Sequence, residues 1–390
     1  MINYHVNPYF ICRPYWGHKE YTEFNKQEIT KFHKNIPGYK ATPLYELPYL
    51  ASKLNIDKIY VKDESCRFGL KAFKIMGASY AIYQYIKNKW EKKNNIPFRF
   101  EMLYDSNIIS GLNLKPFCTA TDGNHGRAVA WFSRLINHRA IIYMPENTVS
   151  ARINNIKNEG ADVRIIPGDY DHAVKQMAGD AEKNGWQIIS DTSYKGYTQI
   201  TSYIMAGYQT IFKEIDNNLE FDYIFLQNGV GSFAASAVWF YRESYRFRQP
   251  KLISVEPLDA DCFLESIKYG KGQPLSTRGH LQSIMAGLNC GTPSLLAWPP
   301  IRDGVDFFMA VDDNYARQAM NLFYHPTGND PQIVSGESGC AGLAGLIAVM
   351  GKEMDDEVRK NIGINSKSKI LIFNTESDTD PENHHSIISH

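Results

Sequence analysis

The sequence has no excess of charge of either sign and no long apolar run, and each absence removes a class of function. Lysine and arginine together number 42, and aspartate and glutamate together also number 42. No basic surplus is therefore available to neutralise the phosphates of a nucleic acid. No stretch approaches the roughly 18 to 20 consecutive apolar residues that a membrane span requires. We expect neither nucleic acid nor a membrane among the partners of this chain.

None of the six cysteines forms a C-x-x-C pair, so neither a zinc site nor a thioredoxin-like redox site is expected. Scattered cysteines in a cytosolic chain are usually small, buried, apolar residues. A redox-dependent bridge between Cys262 and Cys290 stays open at this stage, because the sequence does not set the distance between two thiols. We expect no metal ligands.

The N-terminus lacks the pattern of a secretion signal. Residues 1–12 mix polar and aromatic side chains and contain no basic segment followed by an apolar one. A cytoplasmic location is the default expectation. Residues 1–40 are rich in aromatic and polar side chains, and we expect them to form an arm that runs over the surface.

The order of the secondary-structure patterns predicts an α/β protein. Strand-like and helix-like segments alternate along the chain, which is typical of βαβ units and a parallel sheet. The predicted strands are 58–62, 139–144, 161–166, 186–190, 221–227, 251–255 and 369–374, and the predicted helices include 78–86, 149–159 and 170–184. A chain of 390 residues exceeds what one hydrophobic core usually supports, so we expect two α/β lobes.

A lysine in an apolar setting stands directly before a predicted helix. Lys74 lies between Phe73 and Ile75 and is followed by a small-residue turn at Gly77. Apolar surroundings disfavour the protonated form of an amine, and a neutral amine can form a Schiff base with a carbonyl compound. A surface lysine near a helix start is the ordinary alternative, and this segment alone favours it.

Two glycines flank an Asn-His pair in the segment from Thr119 to Arg127, and this pattern predicts a tight turn whose amides can approach a ligand closely. Asp122 on this turn can abstract or deliver a proton, and Asn124 can hydrogen-bond a phenolic oxygen. A capping turn without any chemistry would use the same residue types.

Two further polar turns follow predicted strands. The glycine turn after residue 227 precedes a predicted helix, and helix N-terminal amides bind phosphate well. A dinucleotide fingerprint needs a third glycine where Ala234 stands, but Glu256 keeps an NAD-dependent oxidoreductase as a minor alternative. The turn from Asn374 to Pro381 follows the last predicted strand. A hydroxyl there can hydrogen-bond a ring nitrogen, although an ordinary polar turn looks the same.

Together these four segments, in this order, resemble the fold-type-II pyridoxal-phosphate enzymes, which include the serine and threonine dehydratases. Within that family, the sequence is most similar to those of the diaminopropionate ammonia-lyases. The segments that carry this closer resemblance are Arg67–Leu70, Thr119–Arg127, Asp191–Tyr197, Ile284–Gly291, Glu337–Gly342 and Asn374–Pro381. The resemblance runs from about residue 35 to 385. Lys71 and Ser377 depart from the family pattern, in which Asn and Gly respectively are usual.

The resemblance implies a fold and a domain organisation. We expect two open, mostly parallel, twisted sheets flanked by helices, with the cofactor in the cleft between the lobes. Residues 1–77 and 198–390 would form the large cofactor-binding domain, and residues 78–197 the smaller α/β domain inserted in it. A homodimer is also expected, both from the resemblance and from the prevalence of two-fold oligomers.

The resemblance also implies pyridoxal 5'-phosphate as the cofactor and assigns residues to it. Lys74 would carry it as a Schiff base, Asn124 would contact its phenolic oxygen, and Thr375 would face its pyridine nitrogen. The phosphate would be held by Gly229, Val230, Gly231, Ser232 and Phe233.

The implied reaction is the α,β-elimination of D- and L-2,3-diaminopropionate to pyruvate and two molecules of ammonia. The two isomers present the α-proton to opposite faces, so Lys74 would serve the L-isomer and Asp122 the D-isomer. Asp191 would bind or polarise the distal amine. A serine or threonine dehydratase is the alternative, but a hydroxyl leaving group has less use for two acidic residues. A catalytically silent binding protein would be expected to lack Lys74 or Asp122.

Overall fold

The computed structural model describes residues 1–12, 19–244, 249–351 and 356–389, which form an α/β structure. The strands are β1 (Ile2–Val6), β2 (Leu44–Glu46), β3 (Lys58–Asp63), β4 (Phe117–Ala120), β5 (Ala140–Pro145), β6 (Asp162–Ile166), β7 (Gln187–Ile188), β8 (Tyr223–Gln227), β9 (Lys251–Pro257), β10 (Phe307–Val311) and β11 (Lys369–Asn374). The helices are α1 (Glu28–Asn35), α2 (Pro48–Lys53), α3 (Ile75–Asn94), α4 (Ser106–Gly111), α5 (Asn124–Leu135), α6 (Ser150–Asn158), α7 (Tyr170–Asn184), α8 (Gln199–Lys213), α9 (Ser232–Ser244), α10 (Cys262–Tyr269), α11 (Trp298–Gly304), α12 (Asp313–Tyr324), α13 (Ala341–Met350), α14 (Asp356–Ile362) and α15 (Pro381–Ile388).

The chain divides into two compact units. The larger unit comprises Met1–His18, Ala41–Ala72 and Ile211–His390, and the smaller unit comprises Lys19–Lys40 and Phe73–Thr210. The predicted domains have the same nested order with different limits. Residues 19–40, 73–77 and 198–210, which the prediction assigned to the large domain, make their contacts within the smaller unit. The domain boundaries themselves stay a prediction.

The sheet of the larger unit has seven strands in the order β1-β10-β9-β8-β11-β3-β2. The five inner strands run parallel, and the two edge strands β1 and β2 pair antiparallel to their neighbours. Every residue of β8 and β10 is buried, as expected for strands covered on both faces. The carboxyl ends of β3 and β11 meet, because the Asn374 side-chain amide donates to Asp63 Oδ1 over 2.8 Å.

The sheet of the smaller unit has four parallel strands in the order β6-β5-β4-β7. Strands β4 and β5 are buried throughout, whereas the edge strand β6 is partly exposed. Helices α5 and α7 pack on β4 and β5. The carboxyl end of β4 leads into α5 through residues 121–123, at the edge of the sheet where α/β proteins usually bind ligands. The predicted α/β class with two mostly parallel sheets is confirmed.

The expectation of a surface arm over residues 1–40 is wrong for two of its segments. Ile2–Val6 forms the edge strand β1, whose partner β10 lies about 300 residues further along the chain. Helix α1 buries Ile29, Phe32 and His33. Both depend on distant partners, which a local sequence pattern does not show. Residues 13–18 of this segment lie outside the described residues.

None of the helices in the described ranges combines the length and the hydrophobicity that a membrane span requires.

The larger unit contains a buried network of four charged side chains. Glu214 accepts from Lys62 Nζ at 2.6 Å and from the two terminal nitrogens of Arg67 at 2.8 and 2.7 Å. Arg67 Nε also donates to Glu64 at 2.7 Å. None of the four side chains is more than 4% exposed. Burial by itself would raise the pKa of Glu214, but Arg67 and Lys62 lower it to about 2.

Replacing Glu214 by Gln should destabilise the protein strongly, because it leaves two buried cations with one anion. Breaking a buried pair in this way costs about 3 to 5 kcal/mol of unfolding free energy. Glu46→Gln is the matched control, since Glu46 pairs with Lys58 at 3.3 Å on the surface and such pairs contribute about 0 to 1 kcal/mol. Urea denaturation followed by circular dichroism measures both. Equal losses in the two variants would contradict a structural role for the network.

Candidate active site

Lys74 lies directly before α3, and the first turn of this helix packs tightly on α8. A Cβ on Gly77 would lie 2.7 Å from the Tyr208 ring, and a Cβ on Gly207 would lie 2.3 Å from the carbonyl oxygen of Met76. Only residues without a side chain allow the two helices to come so close. Helix α3 begins before Gly77, so the expected turn at this glycine is wrong. The glycine serves helix packing, and the packing fixes the position of Lys74.

The Lys74 ammonium and the Asp191 carboxylate form a direct ion pair, with Nζ 2.5 Å from Oδ2. The side chains are 20% and 11% exposed, so water screens the pair only weakly. Burial alone would raise the pKa of Asp191, but the Lys74 charge and hydrogen bond, together with His125, lower it to about 2. Asp191 is therefore ionised at every physiological pH and already holds an ammonium group.

The segment around Asp191 is held in place by its own tyrosine. The Tyr197 hydroxyl accepts from the Ser190 amide at 2.8 Å and donates to the carbonyl oxygen of Ile188 at 3.1 Å. The Tyr197 ring stacks on Tyr194, with centroids 5.1 Å apart. These contacts close residues 188–197 into a compact loop. The loop fixes the backbone position from which the Asp191 carboxylate extends.

Asp122 lies on the tight turn between β4 and α5. Thr121 Oγ1 accepts from the amides of Gly123 at 3.0 Å and Gly126 at 3.1 Å, which satisfies two backbone donors at the helix start. Gly123 has a φ of +153°, a conformation that L side chains rarely adopt. Asn124 is the first residue of α5. The predicted turn is confirmed, and Thr121 is a part of it that the sequence patterns did not single out.

The electrostatic surroundings of Asp122 differ from those of Asp191. Burial raises the pKa of Asp122 to about 6, an effect that Arg152 and Lys74 oppose and Asp191 reinforces. One carboxyl of the site is thus held ionised, whereas the other titrates close to neutral pH. A carboxylate with a pKa near the working pH is suited to accept and return a proton.

His125, the histidine of the Asn-His pair in the turn, lies next to the Lys74–Asp191 ion pair. The sequence pattern assigned it no role. Its Nε2 lies 2.8 Å from the carbonyl oxygen of Ile189, to which it donates, so the ring is a donor at this atom. Its buried Nδ1 has no hydrogen-bond partner in the ranges that the structure describes, and it lies 3.9 Å from Asp191 Oδ2. Burial lowers the pKa of His125. A neutral histidine with an open acceptor atom therefore borders the ion pair.

In the larger unit, the glycine turn after β8 leads into α9 and is closely packed at its two glycines. Gly231 has a φ of +100°, and a Cβ there would lie 2.5 Å from the Phe263 ring. A Cβ on Gly229 would lie 3.2 Å from Cys290 Sγ. The α9 helix begins at Ser232, so its first amides have no acceptor within the helix. The turn is built to present backbone donors, as predicted. Cys262 and Cys290 are free thiols.

Thr375 follows β11 and is buried. Its Oγ1 accepts from Gln227 Nε2 at 3.0 Å, and the same amide nitrogen also lies within 3.0 Å of the carbonyl oxygens of Gly339 and Phe373. Besides accepting this bond, the Thr375 hydroxyl has one proton of its own that it can donate. A neutral donor at this position matches the predicted contact with a ring nitrogen.

The two departures from the family pattern have structural explanations. Lys71 has a φ of +59°, the left-handed region that Asn tolerates better than Lys. Its Nζ pairs with Asp378 Oδ1 at 2.8 Å. Ser377 is not among the positive-φ residues, so Gly is not required there. The Ser377 amide donates to the carbonyl oxygen of Lys71 over 2.9 Å, which joins the two segments.

The predicted site residues fall into two groups. Lys74, Asp122, Asn124 and Asp191 belong to the smaller unit, where Lys74 and Asp191 are in direct contact and Asp122 interacts electrostatically with both. The glycine turn from Gly229 to Phe233 and Thr375 belong to the larger unit. The roles assigned to all of them stay predictions.

Comparison with known proteins identifies relatives along nearly the whole chain. A family model described as pyridoxal-phosphate dependent enzyme matches residues 36–364. The diaminopropionate ammonia-lyase of Salmonella typhimurium is 36% identical over 368 residues, which cover 93% of this chain and 91% of that protein. The biosynthetic L-threonine dehydratase of Lactococcus lactis is 26% identical over 330 residues, which cover 82% of this chain and 68% of that protein.

A solved structure extends the comparison to the fold. The crystal structure of Escherichia coli diaminopropionate ammonia lyase in complex with an aminoacrylate-PLP azomethine reaction intermediate superimposes with a TM-score of 0.88 at 33% identity. The match covers 100% of this chain and 97% of that chain. The fold of the two proteins is the same.

Replacing Gly207 by Ala should destabilise the smaller unit, because the new Cβ would meet the Met76 carbonyl at 2.3 Å. Overpacking of this kind costs about 1 to 3 kcal/mol of unfolding free energy. Gly179→Ala on α7 is the matched control, since nothing lies within 4 Å of its Cβ position, and it should stabilise the helix by about 0.5 to 1 kcal/mol. Thermal unfolding measures both. A Gly207→Ala protein as stable as the control would contradict the close helix contact.

Proposed function

Because the chain belongs to the family of pyridoxal-phosphate dependent enzymes, we propose that it converts 2,3-diaminopropionate and one water into pyruvate and two molecules of ammonia. The relatives that share 36% identity across its length support this reaction. One observation of the structure supports diaminopropionate over a hydroxy amino acid as the substrate. The Asp191 carboxylate, ionised and 2.5 Å from an ammonium group, suits a substrate that brings a second amine. A hydroxy amino acid would gain little from it.

The residues of the chain fit pyridoxal 5'-phosphate. The glycine turn before α9 has no space for a Cβ at Gly231 and little at Gly229, and it offers helix N-terminal amides, which are good phosphate ligands. The Thr375 hydroxyl accepts from Gln227 and has a proton that it can donate to a ring nitrogen. Lys74 supplies the amine for covalent attachment. We propose that Gly229 to Phe233 hold the phosphate and that Asn124 contacts the phenolic oxygen.

The bound cofactor supplies an electron sink for the negative charge that forms when the α-proton leaves. We assign the proton transfers to the two groups of the smaller unit. Lys74 Nζ, when its amine is free, takes the α-proton of the L-isomer. The α-proton of the D-isomer lies on the opposite face of the bound substrate, and the Asp122 carboxylate takes it. Asp191 binds the distal ammonium of either isomer in place of the lysine.

The proposal is tested by release of 2-oxo acid from the cofactor-loaded protein. D- and L-2,3-diaminopropionate should both be converted rapidly, and D- and L-serine and threonine only weakly. Lys74→Ala should abolish turnover of every substrate while the protein stays folded by circular dichroism. A preference for L-serine or L-threonine would instead establish the dehydratase reaction, and no turnover of any substrate would overturn the proposal.

Asp122→Asn should remove turnover of the D-isomer selectively, because an amide cannot accept the proton. Loss of a general base lowers kcat/KM by about 100-fold to 10,000-fold, whereas the L-isomer should change by a small factor only. The wild-type rate with the D-isomer should fall as the pH drops through about 6, the pKa to which burial raises Asp122, and the L-isomer should lack this acidic limb. Asp171→Asn, on the exposed face of α7, is the control. Equal losses with both isomers would contradict the two-base assignment.

A homodimer and a cytoplasmic location complete the proposal, supported by the family resemblance and by the composition of the chain. Sedimentation equilibrium tests the first, since a dimer has twice the 44.5 kDa chain mass.

A further inference from the structure

Arg152 is a half-buried arginine of α6 next to the turn that carries Asp122. Its guanidinium takes part in no hydrogen bond and no ion pair within the part of the chain that the structure describes. An arginine normally satisfies its five donors with carboxylates, carbonyls or water. A guanidinium without protein partners beside a catalytic turn is therefore available to act on that turn.

The position of Arg152 is set by the face of α6 on which it lies. Ile156 and Glu159 follow it by four and seven residues and so share this face. Ile156 is fully buried. Glu159 accepts from Arg127 Nε at 3.2 Å and from Arg134 Nη2 at 2.5 Å, and both arginines lie on α5. The end of α6 is thereby clamped to α5, and two turns earlier the same face brings Arg152 to the N-terminus of α5.

The side chain of Arg152 crosses the turn at Gly123. A Cβ built on Gly123 would lie 3.1 Å from Cδ, 3.5 Å from Cγ and 3.6 Å from Cβ of Arg152. The aliphatic stem therefore lies against the backbone that directly follows Asp122. The glycine both adopts the φ of +153° and leaves room for the stem. This contact places the Arg152 side chain next to the turn, and the charge of its guanidinium lowers the pKa of Asp122.

Three charged groups act on Asp122, each from a different element. Arg152 approaches from α6, Lys74 from the start of α3, and Asp191 from the loop before α8. His125, on the same helix as the turn, is buried and has a lowered pKa, so it contributes no charge at neutral pH. Lys74 and Asp191, which pair at 2.5 Å, act on the pKa of Asp122 in opposite directions. Among the three charged groups, Arg152 has the largest effect.

We propose that Arg152 is a positioning residue that keeps the Asp122 carboxylate ionised, and that it thereby sets the efficiency with D-amino acid substrates relative to L-isomers. The inference rests on the proposed function and adds a residue to which the sequence patterns assigned no role. Burial opposes ionisation of Asp122, and a guanidinium stays protonated at every pH at which the enzyme works. It therefore supplies a constant opposing charge without competing for the proton.

The kinetic test compares the pH profiles of kcat/KM for D- and L-2,3-diaminopropionate in wild type, Arg152→Gln and Arg152→Lys. In Arg152→Gln the acidic limb for the D-isomer should move up by about one pH unit, the lower end of the effect of a neighbouring cation. At pH 6 this shift lowers the D-isomer rate about fivefold, and the L-isomer rate should not change. Arg152→Lys should restore most of the wild-type profile. Arg139→Gln is the control, because Arg139 is a surface arginine of the same unit.

A direct titration separates failure of this inference from failure of the proposed function. Isotope-edited infrared spectra of cofactor-loaded protein labelled with ¹³C-carboxyl aspartate, assigned by subtraction of Asp122→Asn, report the ionisation of Asp122 without turnover. The Asp122 titration should lie at higher pH in Arg152→Gln than in wild type and return in Arg152→Lys. An unchanged titration would overturn the role of Arg152, whatever the substrate. So would an equal rise of KM for both isomers with unchanged pH profiles, since that result identifies Arg152 as a ligand of the substrate carboxylate.

Discussion

The ion pair between Lys74 and Asp191 is the interaction on which the chemistry proposed for the smaller unit depends. A buried pair adds little net stability, because dehydration of the two ions offsets their attraction. The pair matters for the chemistry proposed at this site more than for stability. The pair keeps Asp191 ionised and places a cation-binding carboxylate at the lysine that would carry the cofactor. In the proposed function, Lys74 carries the cofactor covalently, and the second amine of the substrate takes its place at Asp191.

Packing and backbone hydrogen bonds hold the segments that carry Lys74 and Asp191 in place. Helices α3 and α8 pack closely through Gly77 and Gly207, and Lys74 lies directly before the first turn of α3. On the other side, Tyr197 closes the loop that carries Asp191. Asp122 lies on a turn held by the Thr121 hydroxyl. Each charged group is therefore positioned by the packing of uncharged residues or by backbone hydrogen bonds. The fold does not depend on the attraction between these charges.

The two units use buried charge differently. In the larger unit, Lys62, Glu64, Arg67 and Glu214 satisfy one another, and such a network stabilises a structure only when all members are present. In the smaller unit, His125 Nδ1 lacks a partner among the described residues. The complete network is typical of a structural role, whereas the unpartnered His125 nitrogen beside the Lys74–Asp191 pair agrees with the ligand site proposed there.

The sequence by itself determined the strongly apolar elements and the chemistry-bearing turns. Strand β11 and helix α7 have the predicted limits, because burial on both faces and a complete helical face leave clear local patterns. The turns with Asp122 and Gly231 lie after strands, as predicted. Only the tertiary structure decided that β1 pairs with β10, that Gly77 lies inside a helix, and that Lys74 meets a carboxylate 117 residues away. Pairing, burial and the pKa values that follow depend on distances between segments remote in the chain, and packing alone sets those distances.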